Sequence, residues 1–172
     1  MILLGSVVNG GAVVVGGLVG MFVGKLLPER LRTSVMAALS LMTIGIAVPG
    51  LLKSNNALIP IISMVVGTLI GELMDIDSAV NKLGEKLQKR FSGSRVTEGF
   101  VTGSLVFAVG ALAVMGPLES GLQHQHSLLF SKSVIDGVAS IVFASTMGLG
   151  VALSGITVFV VEGSIALLAS VV

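Results

Sequence analysis

Long apolar runs separated by short polar stretches set the plan of this chain. Residues 64–70 and 105–115 continue without the strict polar–apolar alternation of a strand. A helix needs about 20 residues to cross roughly 30 Å of hydrocarbon, whereas a membrane barrel shows segments of about ten residues with alternating character. The runs predict an all-α fold, a polytopic transmembrane bundle forming one domain over residues 1–172. Six spans are predicted, at residues 2–24, 34–52, 57–74, 99–116, 133–151 and 155–172. Two connections are long. Residues 75–98 carry Lys82, Lys86, Lys89, Arg90 and Arg95. Val80, Leu83, Leu87 and Phe91 recur there at helical spacing, so residues 76–91 read as an amphipathic helix on the bilayer surface or as a solvated linker helix. The second long connection, residues 117–132, holds Glu119, His124 and His126.

Composition sharpens this picture. The chain is 53% hydrophobic and 11% charged, with a mean hydropathy of +1.04. A soluble domain is about a quarter charged, so water is the wrong solvent for this surface. Trp and Tyr are absent, which leaves helix depth to charged flanks and packing. Cysteine is absent too, which removes disulfides and thiol chemistry. A net charge of +1 gives no reason to expect nucleic acid. The N-terminus lacks the basic start of a signal peptide, and glycines interrupt its apolar run. With the N-terminus outside, the inner connections hold Lys25, Arg30, Arg32 and the five basic residues of 75–98, against Lys53 and Lys132 outside. The positive-inside rule therefore predicts an extracytoplasmic N-terminus and a cytoplasmic loop 75–98 in a bacterial inner membrane.

Small residues recur at intervals of four: Gly16, Gly20 and Gly24, then Gly67 and Gly71, then Gly99 and Gly103. Such rows let helix backbones approach closely, either inside one chain or across a homo-oligomer face. The first and sixth spans also resemble each other in opposite orientations, the mark of an inverted-topology repeat. That symmetry predicts further spans past Val172. Pro49–Gly50, Pro60 and Gly116–Pro117 fall where they would bound helices, and Gly148 and Gly150 stand where the inner end of the fifth helix would unwind.

Polar residues in apolar runs are the candidates for function, because an acid at the bilayer centre costs roughly 2.5–3.5 kcal/mol on insertion scales. Glu162 is the costliest: a proton or cation site, or an acid hydrogen-bonded between helices. Asn9 lies about two turns into the first span, where an amide ties helices together or lines a pathway. Lys132 and Asp136 are four apart and share a helix face. With Ser140 they mark the best candidate for a hydrated surface, or else an ion pair beside packing residues. Glu72, Asp75 and Glu98 gather at the inner face as a cation vestibule or as interfacial acids balancing the basic loop. His124 and His126 lack a third ligand, so no metal site is predicted. No nucleophile, metal or nucleotide motif of an enzyme is present, and no cofactor is expected.

The ordered set GKLLPERL, GTLIGELMDID, EGFVTGSL and KSVIDG resembles the YqgA/YdfK-like bacterial membrane proteins. The likeness covers essentially the whole chain. It implies a polytopic inner-membrane fold, a domain without an assigned function, an association with biofilm formation, and relatives that continue past the position of Val172. Two functions are then in view. One is a small transporter or channel-like protein, working as a homo-oligomer, for a cation or proton-coupled solute. The other is a non-transporting protein that binds lipid or a partner through its basic surface helix and glycine faces.

Overall fold

A computed structural model gives the chain as a bundle of helices. It describes residues 2–52, 58–75, 78, 82, 85, 86 and 96–171. Among the described residues there are seven α-helices and no strand: α1 (Leu4–Val23), α2 (Glu29–Leu52), α3 (Leu58–Leu73), α4 (Val96–Ala108), α5 (Ala111–Gln123), α6 (Ser127–Met147) and α7 (Leu149–Ala169), with a 3-10 turn at Gly24–Leu26. Of the amphipathic segment expected at 76–91, only residues 78, 82, 85 and 86 are described, and the rest lie outside the described residues.

The helices α1, α6 and α7 are each long and apolar enough to cross a membrane, and α4 with α5 passes that test as one bent pair. Helix α2, of 24 residues, and the shorter apolar α3 occupy the second and third expected spans. The six-span plan is thus roughly matched, with two differences. The fourth span is not continuous: α4 and α5 meet at 56° across Val109–Gly110. Gly116–Pro117, expected to end that span, lies inside α5 and is buried. The second difference is the turn between the last two spans, where one residue, Gly148, separates α6 from α7. Its φ of 71° and ψ of −147° lie in a region that side chains rarely enter, so the chain reverses there without a polar loop. Hydropathy could not locate that turn because nothing around it is polar enough to interrupt the run.

Helix α1 packs against both α6 and α7. It runs parallel to α6, with Gly5 against Leu129 and Gly24 against Ser145, and antiparallel to α7, with Gly10 against Phe159 and Gly17 against Ala152. Helices α4 and α5 cover the other side of α7, through Gly99 at Val151 and Gly121 at Ala166. The antiparallel α1 and α7 have the relative orientation an inverted repeat requires. A Cβ on Gly17 would stand 2.6 Å from Ala152 Cα, and one on Gly24 2.7 Å from Ser145 Cα. Gly16, Gly20, Gly24, Gly99 and Gly103 therefore serve packing within the chain, while Gly67 and Gly71 face open space. Arg32 closes the C-terminal end of α1 by donating to the Gly24 carbonyl at 2.6 Å, one of the acceptors a helix end leaves over. The outward surface is apolar, with Phe22 at 81% and Leu73 at 86% exposure. In a bilayer these side chains meet lipid at no cost.

Candidate functional site: a buried ionic cluster at a broken helix

Three of the tightly packed helices contribute to one polar cluster. Helix α6 presents Lys132 and Asp136 one turn apart, and their side chains form an ion pair. Helix α7 brings Glu162, whose Oε1 lies 3.3 Å from Lys132 Nζ. Helix α1 brings Asn9, whose Nδ2 donates to Glu162 Oε1 at 2.8 Å and to Asp136 Oδ2 at 3.1 Å. The four side chains are 0–6% exposed. Buried charges of this kind persist only when paired and hydrogen-bonded, and here each charge faces a partner.

The break between α4 and α5 completes the cluster. In a continuous helix the Phe107 carbonyl would accept from residue 111. The bend frees it, and Lys132 Nζ donates to it at 2.7 Å. The ammonium thus sits at the carbonyl end of α4, where the helix dipole favours a cation. Beside the break lies a cleft of about 310 Å³, reached by Lys132 and Asp136 from α6 and by Ser40 and Thr43 from α2. This volume is at the lower end of small-molecule sites. Ser40 and Thr43 return their hydroxyl protons to the carbonyls of Met36 and Leu39, which leaves their oxygens as acceptors toward the cleft. One ammonium opposes two carboxyl groups in the cluster, so one further positive charge would balance it.

Four of the five pathway candidates, Asn9, Lys132, Asp136 and Glu162, come together here. Ser140 does not: it donates to the Gly137 carbonyl at 2.8 Å and packs against Gly16. Gly137 and Ser140 face α1, and the cleft instead opens on the edge of α6 formed by Ile135, Asp136 and Ala139. Glu72 and Asp75 are exposed at the end of α3, and Glu98 is exposed in the first turn of α4, away from the cluster. His126 pairs through Nδ1 with Ser120 Oγ at 2.8 Å, and Ser120 also donates to the Ile2 carbonyl. That histidine therefore ties α5 and α6 to the start of the chain. The Phe107 carbonyl and the cleft hydroxyls escaped the sequence reading. Gly110, alone in the apolar run FAVGALAV, was the one available sign of the break.

These features define a polytopic helical membrane protein with a buried ionic cluster beside an interrupted helix. The family described as "Protein of unknown function (DUF554)" matches residues 4–172, and the chain belongs to it. The chain is 29% identical over 173 residues to the "Uncharacterized membrane protein YdfK" of Bacillus subtilis (strain 168), covering 98% of this chain and 74% of that one. It is 26% identical over 176 residues to the "Uncharacterized protein YqgA" of Escherichia coli (strain K12), covering 98% and 75%. The likeness read from the LPERL, IGELMDI, EGFVTGSL and KSVIDG segments is thereby borne out. No solved structure matches the chain.

Proposed function

We propose that this chain is a small transporter or channel-like protein of the bacterial inner membrane, for a cation or a proton-coupled small solute. One observation carries the reading: the buried cluster of Asn9, Lys132, Asp136 and Glu162 opens, through Lys132 and Asp136, onto a cleft at a helix break. Ionisable residues inside membrane spans mark ion and substrate paths. Discontinuous helices supply backbone groups to such sites in secondary transporters. The excess of carboxyl over ammonium groups favours a cation over an anion. In this account the N-terminus is extracytoplasmic and loop 75–98 cytoplasmic, following the basic residues. Homo-oligomer contacts fall to α3, whose Gly67 and Gly71 have no neighbour within 4 Å among the described residues. The protein makes and breaks no covalent bond in its substrate.

The test is a thermal-shift screen of the detergent-purified protein against cations, amino acids, polyamines and nucleobases. A ligand that binds only the folded state raises stability by RT ln(1 + [L]/Kd), about 2.7 kcal/mol at 100 Kd. A shift present in the parent and absent in Asp136→Asn supports the reading. Silence across the panel counts against it.

A further inference from the structure

Two oxygens of the cluster lack a donor. Asn9 spends its Nδ2 hydrogens on Asp136 Oδ2 and Glu162 Oε1. This fixes the amide, because the opposite orientation would set Oδ1 against two carboxyl oxygens. Oδ1 and Glu162 Oε2 are both buried and have no hydrogen-bond partner among the described residues. They belong to side chains already joined through their other atoms. Acceptors in that position are costly to leave unmatched.

The charge count points the same way. The helices packed on α7 carry few charged groups. α1 has none; α4 has Glu98, in its first turn. On α5 stands Glu119, half-buried near Ser120, and on α6 stand Lys132 and Asp136. Glu98 precedes Phe107 by nine residues, about 13 Å of helix. Among the described residues, Lys132 alone supplies positive charge to Asp136 and Glu162.

We propose that Glu162 is the proton-carrying group of this site. In the resting protein it is the carboxylic acid, and its Oε2–H is donated to Asn9 Oδ1. Acid and amide then close a ring of two hydrogen bonds, Nδ2–H to Oε1 and Oε2–H to Oδ1. One proton supplies the missing donor, satisfies both oxygens and balances the cluster's charge. It belongs on Glu162 because Asp136 holds the direct ion pair with Lys132 and borders the cleft, whereas Glu162 is 0% exposed. A metal ion in the same place would stand beside the Lys132 ammonium, and no group of three acidic, histidine or cysteine ligands exists among the described residues. The assignment deepens the transport reading by naming the coupling ion. Lys132 touches both the cleft and Glu162 Oε1, so a solute that engages Lys132 alters the hold on that proton.

Infrared spectroscopy of the full chain in lipid at neutral pH tests this directly. The expected result is a carbonyl stretch of a protonated carboxylic acid that shifts on isotopic labelling of glutamate and not of aspartate. The band disappears in Glu162→Gln and survives in Glu119→Gln, and it weakens in Asp136→Asn, where Lys132 is left to balance Glu162 alone. It moves to higher frequency in Asn9→Leu, which removes the acceptor. The glutamate-labelled parent gives an answer even if a variant fails to fold. Absence of an acid band in the parent, or a band that follows aspartate or Glu119, overturns the proposal. So does a band-free protein that sodium chloride stabilises and choline chloride does not, since that identifies a sodium site. The spectrum is independent of flux: an acid band on Glu162 in a protein that moves nothing would leave this assignment standing and remove the transport reading.

Discussion

Replacing Lys132 by Met removes the only cation from the buried cluster while keeping much of the side chain's length. Three interactions of Nζ disappear: the ion pair with Asp136, the 3.3 Å approach to Glu162 Oε1 and the 2.7 Å bond to the Phe107 carbonyl. Removing one partner of a buried ion pair costs about 3–5 kcal/mol, because the remaining charge is left in a poor solvent. The orphaned carbonyl adds roughly 1–3 kcal/mol where no water replaces the ammonium. Uptake of a proton by Asp136 offsets part of this, so a net loss of about 3–5 kcal/mol is the working figure. For chains of this size each kcal/mol moves Tm by about 2–4 °C, which makes the expected drop roughly 6–20 °C. Thermal melting followed by circular dichroism in a mild detergent reads it without needing the missing tryptophans. The double variant Lys132→Met with Asp136→Asn removes both charges and should regain a large part of the loss. A single variant that melts within about 2 °C of the parent, less than one kcal/mol on this scale, would refute the reading of these residues as a mutually compensating buried set.

Further outcomes follow from the packing and topology. Gly17→Ala places a Cβ against the Ala152 backbone and should lower stability by about 1–3 kcal/mol, while Gly11→Ala, with nothing within 4 Å, should match or exceed the parent in the same melting assay. Gly148→Ala forces a side chain into the backbone region at φ 71° and should cost about 1–3 kcal/mol, read as a lower melting temperature and earlier proteolysis between α6 and α7. Reporter fusions after residue 91 should give fluorescent green fluorescent protein and inactive alkaline phosphatase; the reverse pattern would invert the proposed topology.

The cluster was unusually legible in sequence because the bilayer makes polar side chains conspicuous. Asn9, Lys132, Asp136 and Glu162 stand out from apolar surroundings, and the i, i+4 spacing of Lys132 and Asp136 placed them on one face. Hydropathy cannot show which faces of the three helices meet. The glycine rows carried that information, but they fit a contact inside the chain and one between chains equally well. The structure gives Gly16, Gly20 and Gly24 to α6. Ser140 shares a stripe with Ser133 and Asp136 in the sequence, yet its side chain lies against Gly16 of α1 and bonds its own helix. The break at Val109–Gly110 leaves no trace in hydropathy, because both sides of it are equally apolar, and Gly110 alone marks it. Pro117, the stronger breaker by rule, sits inside a helix instead.

In the proposed function the buried carboxyl groups serve passage of a proton or cation. The most direct measurement is flux in proteoliposomes loaded with a pH-sensitive dye, with each solute that shifts the melting temperature added outside under an imposed pH gradient. Solute-dependent proton movement by the parent is the expected result. Glu162→Gln and Asp136→Asn, reconstituted to the same density, should be slower by at least about tenfold, or 1.4 kcal/mol in the barrier. Proton and solute movement equal to protein-free vesicles in the parent, or rates in both variants equal to the parent's, would contradict it.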